Sequence, residues 1–509
     1  LIIGSVGSGK STYLAHFEHV AAAKLIKDTQ ANWVYIDYEK MGPDGSPRGY
    51  LYSQLLAYLS RMDYESVVEP AYHNEISGLA KGPLSPIYGN KSKFDEKIAD
   101  YILRDYNLVE PYVDKLFSYL AKDRLTIVVL DNVDLYEDSK LESLVFAEGL
   151  AFSKRVHCHV IVCIRDTTFI RHRTDSVFDA YELRKLWLDP PPFRQVLSTR
   201  LEYSRKILDG KHARIPTSGG AFLDIQDLGV FFEIVQKSLL SNEAGIFIEA
   251  LADLNIRKGL TLVTNFLTSG HIQANKALGT YLTKGGDKFW FPFHEVFKGT
   301  MLGQWRHVRE DRTECVNLFD ARVGSRKLRL LRLQILKYLM IRARNKDMIE
   351  VPIQTLVDDC GILGATVNVV LDVLRKLQRE HLIMRISIGT EPESGSVAIT
   401  RSGGYYISRL IFRLVYVEEC MHDTAIDDDA LWHSLSDMTY SVELEYSVVH
   451  RMEIRKNRID IFTKYLESLE QEILSVSPQL VEIGVCSEIR RCVLKEMEEA
   501  LSRSRLRYT

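Results

Sequence analysis

The residues best suited to chemistry stand near the start of the chain, in a glycine-rich segment. Its sequence, Gly4-Ser5-Val6-Gly7-Ser8-Gly9-Lys10-Ser11, fits the pattern G-x-x-x-x-G-K-[ST] and is followed by Thr12. Glycines let the backbone turn tightly, so that its amide groups and the start of a following helix can surround a phosphate. In this pattern the lysine reaches the β- and γ-phosphates, and the serine hydroxyl binds Mg²⁺. The segment therefore predicts a site for ATP with Mg²⁺, with Gly4 to Thr12 as the binding residues.

An apolar run that ends in a carboxylate supplies a second part of such a site. The run Ile127-Val128-Val129-Leu130 is typical of a buried strand, and Asp131 follows it directly. Strands also end in Asp at ordinary turns. After a phosphate-binding loop, however, a carboxylate in this place is the natural partner of Mg²⁺. We therefore predict that Ser11 and Asp131 form the metal site.

The residue after Asp131 bears on the rate of hydrolysis. Many ATPases of this kind have Glu there, where it polarises the attacking water, whereas this chain has Asn132. An amide can orient water but cannot take up a proton near neutral pH. We expect hydrolysis to be slow, below about 10 s⁻¹, or to depend on another carboxylate, of which Asp134 is the nearest in sequence.

A further apolar run, His159–Ile164, ends at Arg165. Arginine pairs well with phosphate, so Arg165 is a candidate for contacting the γ-phosphate. An arginine at the end of a strand is also often only solvated. The sequence favours the first role without excluding the second.

The order of apolar and helical stretches predicts four domains. Residues 1–192 alternate strand-like and helical runs, which is typical of an α/β fold with a parallel sheet, and three consecutive prolines end this nucleotide-binding domain. Helical periodicity then predicts a helical lid over 193–320, with one helix across Gly245–Ser269. A winged-helix domain is expected over 321–415, and a C-terminal helical region with a helix at Val442–Leu474 over 416–509.

The predicted winged helix contains residues that suit nucleic-acid binding. The stretch Arg322–Lys346 holds nine Lys or Arg and no acid. The helix expected at Ala365–His381 would present Thr366, Asn368, Arg375, Lys376 and Arg379 to duplex DNA. The acids nearby dilute this charge: Asp372, Glu380, Glu391 and Glu393. The sequence leaves two interpretations open, which are contact with DNA and packing within the protein.

The overall composition is that of an ordinary globular protein and excludes few classes of function. The net charge of −3 gives no strong overall field toward a polyanion. The seven cysteines have no metal-ligand spacing, which favours reduced thiols in a cytoplasmic protein. No apolar run is long enough to cross a membrane. The chain opens on Leu1-Ile2-Ile3 without Met, so we expect residues before it and cannot judge a domain there.

Taken together, these motifs and Leu254–Leu260 resemble the origin-recognition (ORC/Cdc6-like) branch of the AAA+ ATPases and the related STAND signalling NTPases. The resemblance implies an ASCE sheet of strand order 5-1-4-3-2, followed by a helical lid and a winged helix. It also implies that Arg257, at the start of a lid helix, contacts the γ-phosphate. Nucleotide-dependent self-association is a further implication. Asn132 stands where these ATPases usually have Glu, and this difference favours the STAND-like side of the resemblance.

Two functions follow as hypotheses. In the first, the chain is a switch that binds ATP and hydrolyses it slowly, and its nucleotide state controls oligomerisation or signalling. A trigger or effector protein would be its partner, and prokaryotic antiphage defence is a role it could serve. In the alternative, the chain is an ORC/Cdc6-like ATPase that acts on duplex DNA through its winged helix. DNA should stimulate ATP turnover in the second case, and a protein or phage-derived ligand in the first.

Overall fold

The chain folds as two compact units, residues 1–190 and 191–509. The computed structural model describes all residues except 43–44, 136–138, 174–182, 209–212, 217–221, 226–227, 273–289, 345–348, 389–393, 477–481 and 509. Glu391 and Glu393, expected on the wing, lie outside the described residues, as does Lys346.

Five parallel strands form the sheet of the first unit: β1 (Ile2–Ile3), β2 (Asn32–Asp37), β3 (Thr126–Asp131), β4 (His159–Ile164) and β5 (Leu186–Trp187). They lie side by side in the order β2-β3-β4-β1-β5, which is 5-1-4-3-2 when read from the other edge. The α/β class and the five-stranded parallel sheet are thereby confirmed. Parallel pairing brings the carboxyl ends of all strands to one edge of the sheet.

Eight helices of the first unit are described around this sheet. They are α1 (Lys10–His16), α2 (Ala23–Asp28), α3 (Pro47–Leu59), α4 (Glu69–Lys81), α5 (Lys91–Leu108), α6 (Glu110–Asp123), α7 (Ser139–Val156) and α8 (Asp166–His172). Apolar side chains of α3, α6 and α7 are buried in the same core as β2 and β3, among them Leu55, Phe117 and Phe152. This packing fixes the strands whose ends form the candidate site.

The strand register decides which polar residues meet. Asp37 at the end of β2 pairs with Asp131 at the end of β3. Ile3 of β1 pairs with Ile164 of β4, and the amide of Gly4 donates to the Ile164 carbonyl at 3.3 Å. The glycine-rich loop, Asp131 and Arg165 therefore start from adjacent positions at one edge of the sheet.

The second unit begins with helices and a hairpin. The helices are α9 (Phe193–Leu208), α10 (Leu228–Leu239), α11 (Asn242–Ala252), α12 (Ile256–Thr268) and α13 (Phe293–Phe297), and the hairpin pairs β6 (Ala213–Pro216) with β7 (Phe222–Ile225). The single helix expected over Gly245–Ser269 is wrong. Asp253 and Leu254 have φ of 46° and 66°, which ends α11. Asn255 then caps α12 by accepting from the Lys258 amide at 3.0 Å.

A mixed segment of helices and strands follows. It runs α14 (Leu331–Arg344), β8 (Val351–Pro352), α15 (Ile353–Gly361), α16 (Val367–Arg379), β9 (Ile383–Ile388) and β10 (Gly395–Ile399). The three strands pair antiparallel in the order β8-β10-β9. Three helices thus accompany a small sheet in the order helix, strand, helix, helix, strand, strand.

Helices complete the chain: α17 (Arg401–Ser408), α18 (Leu414–Met421), α19 (Asp429–Leu444), α20 (Val448–Val476) and α21 (Cys486–Tyr508). The helix expected at Val442–Leu474 is interrupted, because the backbone is extended at Glu445, whose carboxylate accepts from the Ser447 amide at 2.7 Å. All seven cysteines are free thiols. Among the residues described, no helix has both the length and the apolar character needed to span a bilayer.

Two adjacent glycines of α17 test the packing of the second unit. A Cβ at Gly403 would overlap the carbonyl oxygen of Leu382, whereas a Cβ at Gly404 would meet no atom within 4 Å. We expect Gly403→Ala to lower the free energy of unfolding by at least about 2 kcal/mol through overpacking. Gly404→Ala should leave it unchanged or raise it by about 0.5–1 kcal/mol, since Ala favours helix. Denaturant unfolding measures both, and equal stabilities would contradict this packing.

Candidate nucleotide site

The loop between β1 and α1 has a backbone that requires glycine at several positions. Gly7 and Gly9 have φ of 73° and 93°, in the left-handed region that side chains rarely adopt. A Cβ on Gly4 would lie 2.7 Å from Ser8 Oγ and 2.8 Å from the Leu188 carbonyl oxygen. The loop therefore packs closely against its own strand edge, and the pattern of glycines found in the sequence has a structural cause.

The loop carries hydrogen-bond donors that the described protein does not use. The amides of Gly7, Gly9 and Lys10 have no acceptor among the described residues. The hydroxyls of Ser5 and Ser8 are buried without a partner. Most buried polar groups in proteins are paired, because an unpaired one is costly. A bound anion would supply the acceptors, so these residues fit a phosphate group.

Lys10 lies across this loop. Its Nζ donates to the carbonyl oxygens of Gly4 at 2.7 Å and Ser5 at 3.3 Å. Burial lowers the pKa of Lys10 below the usual range of a lysine, and the charges of Asp134 and Asp131 oppose that shift. The side chain is thus held at the loop by contacts that a phosphate oxygen could replace. Val6, at the tip, and Thr12, in the first turn of α1, are exposed.

Asp131 joins the loop to the third strand. Its Oδ2 accepts from Ser11 Oγ at 2.6 Å, and its Oδ1 accepts from the amide of Asn132 at 2.9 Å. The residue is 1% exposed, so these bonds fix its orientation. Hydroxyl and carboxylate oxygens are the ligands that Mg²⁺ prefers, usually one or two from the protein with the rest from phosphate and water. The pair of Ser11 and Asp131 therefore fits the metal site predicted from the sequence.

Tyr35 contributes a contact that sequence reasoning missed. Its hydroxyl donates to Asp131 Oδ2 at 2.7 Å. Burial raises the pKa of Tyr35 above its ordinary value, and the hydrogen bond to Asp131 raises it further, so the hydroxyl keeps its proton. The signal was present in β2, where Tyr35 and Asp37 alternate with the apolar residues Val34 and Ile36.

Asp37 is a second residue that sequence reasoning missed. The side-chain amide of Asn132 donates to Asp37 Oδ1 at 2.8 Å, and the Glu39 amide donates to the same oxygen at 3.1 Å. Asp37 Oδ2 accepts no hydrogen bond from the described residues. Because Tyr35 stands two residues earlier on the strand, it shares a face with Asp37. The contact of Tyr35 with Asp131 shows that this face is the one at the site.

Asp134 and Arg165 are paired with each other. Asp134 is 5% exposed and accepts from the Arg165 amide. Its Oδ1 also lies 3.5 Å from Arg165 Nε. This pairing holds the end of β4 against the turn after β3. The carboxylate of Asp134 is therefore occupied by a structural contact. The side chain of Asn132 contacts Asp37 instead, although Asp134 is nearer to it in sequence.

Arg257, predicted to contact the nucleotide, lies in the second unit. It occupies the first turn of α12, directly after the Asn255 cap, and is exposed. Its contact with a γ-phosphate stays a prediction.

Much of the basic stretch that begins at Arg322 is engaged inside the second unit. Arg322 and the buried Arg332 both bind Glu310, at 2.9 and 2.6 Å. Arg326 binds Glu472 at 2.9 Å. These three arginines are therefore paired with carboxylates within the second unit, which leaves less unpaired positive charge in the basic stretch.

Only part of the polar face predicted for the DNA-recognition helix, α16, is exposed and unpaired with distant residues. Thr366 caps it, accepting from the Val369 amide at 3.4 Å, and Lys376 pairs with Glu380 at 2.8 Å. Asn368, Arg375 and Arg379 are exposed. Arg375 pairs with its neighbour Asp372 at 2.7 Å, an exposed contact that is weak in water.

Comparison with solved structures gives matches at low identity. Cdc6p from Pyrobaculum aerophilum is 12% identical, with 83% of this chain and 88% of that chain covered and a TM-score of 0.30. The Aeropyrum pernix ORC2 protein in its ADP form is 12% identical, with 84% and 88% covered and a TM-score of 0.37. The Aeropyrum pernix ORC1 protein in complex with DNA is 13% identical, with 80% and 87% covered and a TM-score of 0.31. No family model matches the sequence, and no curated protein matches it significantly.

Proposed function

We propose that this chain binds ATP with Mg²⁺ and hydrolyses it slowly. The observation that carries the proposal is the 2.6 Å hydrogen bond from Ser11 to Asp131. It lies beside a loop in which three amides, of Gly7, Gly9 and Lys10, and two buried hydroxyls have no acceptor among the described residues. Residues 4–12 would hold the phosphates, with Lys10 at the β- and γ-phosphates and Ser11 and Asp131 at the metal. When bound, Mg²⁺ neutralises charge on the phosphates.

Lys10→Ala tests nucleotide binding directly. The change removes a charged donor that should bind phosphate oxygens, so we expect affinity for ATP to fall at least tenfold, in line with about 1.5–3 kcal/mol for such a hydrogen bond. Lys24→Ala, an exposed lysine of α2, is the matched control and should bind as the parent does. Titration calorimetry with ATP and Mg²⁺ measures both. Equal affinity of the two variants would sink the proposal.

The attacking water needs a group that orients it and takes up its proton, and we assign this role to Asp37. Asn132 cannot take up a proton, and Asp134 is buried against Arg165. Asp37 shares the site face with Tyr35, is held by the Asn132 amide, and keeps Oδ2 without a partner in the described chain. Asn132 would therefore act by positioning Asp37.

Replacing Asp37 with Asn separates hydrolysis from binding. The variant keeps the size and an acceptor oxygen but loses the basic carboxylate, so we expect turnover to fall at least about 100-fold. The affinity for ATP should stay that of the parent. Phosphate release and calorimetry measure the two quantities.

Asp134→Asn is the control for Asp37→Asn. It breaks a buried ion pair, so its main effect should be a lower melting temperature of the first unit, which Asp37→Asn should not show. Parent-like turnover in Asp37→Asn would rule out the assignment of Asp37 while leaving ATP binding untouched.

We also propose that the second unit contains a winged helix that contacts duplex DNA. The order of elements from α14 to β10 suits that fold, with α16 as the recognition helix. Its exposed Asn368, Arg375 and Arg379 suit phosphate and base-edge contacts. The wider division into a lid over 193–320, a winged helix over 321–415 and a helical region over 416–509 belongs to the same proposal.

A salt titration tests the DNA contact. Phosphate contacts release counterions, so log affinity should fall linearly with log salt, and Arg379→Ala should reduce the slope by about 0.9 for the one phosphate contact it removes. Arg491→Ala, on the exposed side of α21, is the matched control and should leave the slope unchanged. Affinity that does not depend on salt would exclude this function.

The signalling switch, with a trigger or effector protein and a role in antiphage defence, is supported by no contact among the described residues. Nucleotide-dependent self-association and the contact of Arg257 with a γ-phosphate remain proposals that follow from the resemblance. The contact of Arg165 with a γ-phosphate remains a proposal that follows from its place at the end of β4.

A further inference from the structure

A cavity of about 310 Å³ in the second unit has an excess of basic side chains. It lies between the segment after α13 and helices α18, α19 and α20. Five cationic side chains line it: Lys298, Arg306, Arg451, Arg455 and Arg458. Three carboxylates face them: Glu418, Glu419 and Glu443. With neutral histidines, five positive charges against three negative ones leave a surplus of two.

The deepest part of the cluster is well paired. Glu418 binds Arg455 through Nε at 2.8 Å and Arg458 through a terminal nitrogen at 2.7 Å. Burial alone would raise the pKa of Glu418, but the hydrogen bond and charge of Arg455 and the charge of Arg458 lower it to about 2. Glu418 is therefore ionised, and its single carboxylate pairs with both guanidinium groups.

Two arginines keep donors that the protein does not use. Arg458 is 3% exposed, and its Nε is buried without a hydrogen-bond partner. Arg451 lies two turns earlier on α20 and makes no ion pair with the described residues. A buried N–H without an acceptor is costly. An anion in the cavity would accept from Arg451, and the positive charge of Arg458 would stabilise it.

The cavity lining also includes a stacked pair of histidines. His307 and His422 stack with ring centroids 4.2 Å apart. Burial lowers the pKa of His422 to about 4, and the charges of His307 and Arg458 lower it further. His422 is therefore neutral near pH 7, and the cavity disfavours another cation.

We propose that this cavity binds the phosphate group of a small soluble molecule, at a site separate from the one on the first unit. A phosphate presents several oxygens to guanidinium forks, which bind it in pairs of parallel hydrogen bonds. The volume stands at the low end of small-molecule sites, and it is too small to admit a nucleic-acid duplex. Lys298 is held by Glu419 at 2.6 Å, so Arg451 supplies the donors that bind the ligand, and the buried Arg458 adds positive charge beneath it.

Titration calorimetry with pyrophosphate and with inorganic phosphate, at constant ionic strength, tests the proposal. The full chain is used with Lys10→Ala, so that phosphate binding at the first unit does not contribute. We expect pyrophosphate to bind, and Arg451→Gln to weaken it at least tenfold. Lys464→Gln, which removes an exposed charge of the same helix at its pair with Asp460, should leave binding unchanged.

A second variant distinguishes a loss of binding from a loss of folding. Arg306→Gln changes a side chain that is 71% exposed and pairs with Glu443 at 2.6 Å, so folding should survive. Binding should again weaken, because the change lowers the surplus of positive charge in the cavity from two to one. No binding of pyrophosphate in the Lys10→Ala chain overturns the proposal. So does equal weakening by Arg451→Gln and Lys464→Gln, which would indicate unspecific attraction, or displacement of pyrophosphate by duplex DNA at equal affinity.

Discussion

The hydrogen bond between Ser11 and Asp131 links two parts of the chain on which the candidate site depends. It joins the helix that follows the glycine-rich loop to the end of the third strand, across 120 residues of sequence. Tyr35 donates to the same carboxylate oxygen, so β2, β3 and the loop meet at one atom. A carboxylate with three donors on its two oxygens has little freedom to rotate. The orientation of the Asp131 carboxylate is thus fixed by the protein itself.

The surrounding fold makes this meeting possible. Parallel pairing places the ends of β2, β3 and β4 beside the loop after β1. Asp134 and Arg165 then tie the turn after β3 to the end of β4. The charged residues around the glycine-rich loop are therefore of two kinds. Lys10 and Asp131 lie at the loop itself, and Asp134 and Arg165 hold the strand ends in place.

The parts of this site that follow a local pattern could be predicted from sequence. Gly4 to Ser11 and Asp131 are identified by spacing and by the apolar runs before them. Tyr35 and Asp37 could not be assigned, because their role depends on the register of β2 against β3, which spacing along the chain does not give. Asp134 was favoured for its closeness in sequence, yet its side chain points to Arg165. Likewise the sequence leaves the partner of Arg326 open, because Glu472, which binds it in the fold, lies 146 residues away along the chain.

The backbone of Asn132 sets a limit on how this site could change. Its φ is 56°, a left-handed conformation that Asn tolerates well and that costs other residues about 1–2 kcal/mol. A glutamate there would carry that strain and would lose the amide that holds Asp37. With Asp37 in its proposed role, a glutamate at position 132 would remove the contact that positions it and would itself start from a strained backbone. The shape of this single turn therefore favours asparagine over glutamate at position 132.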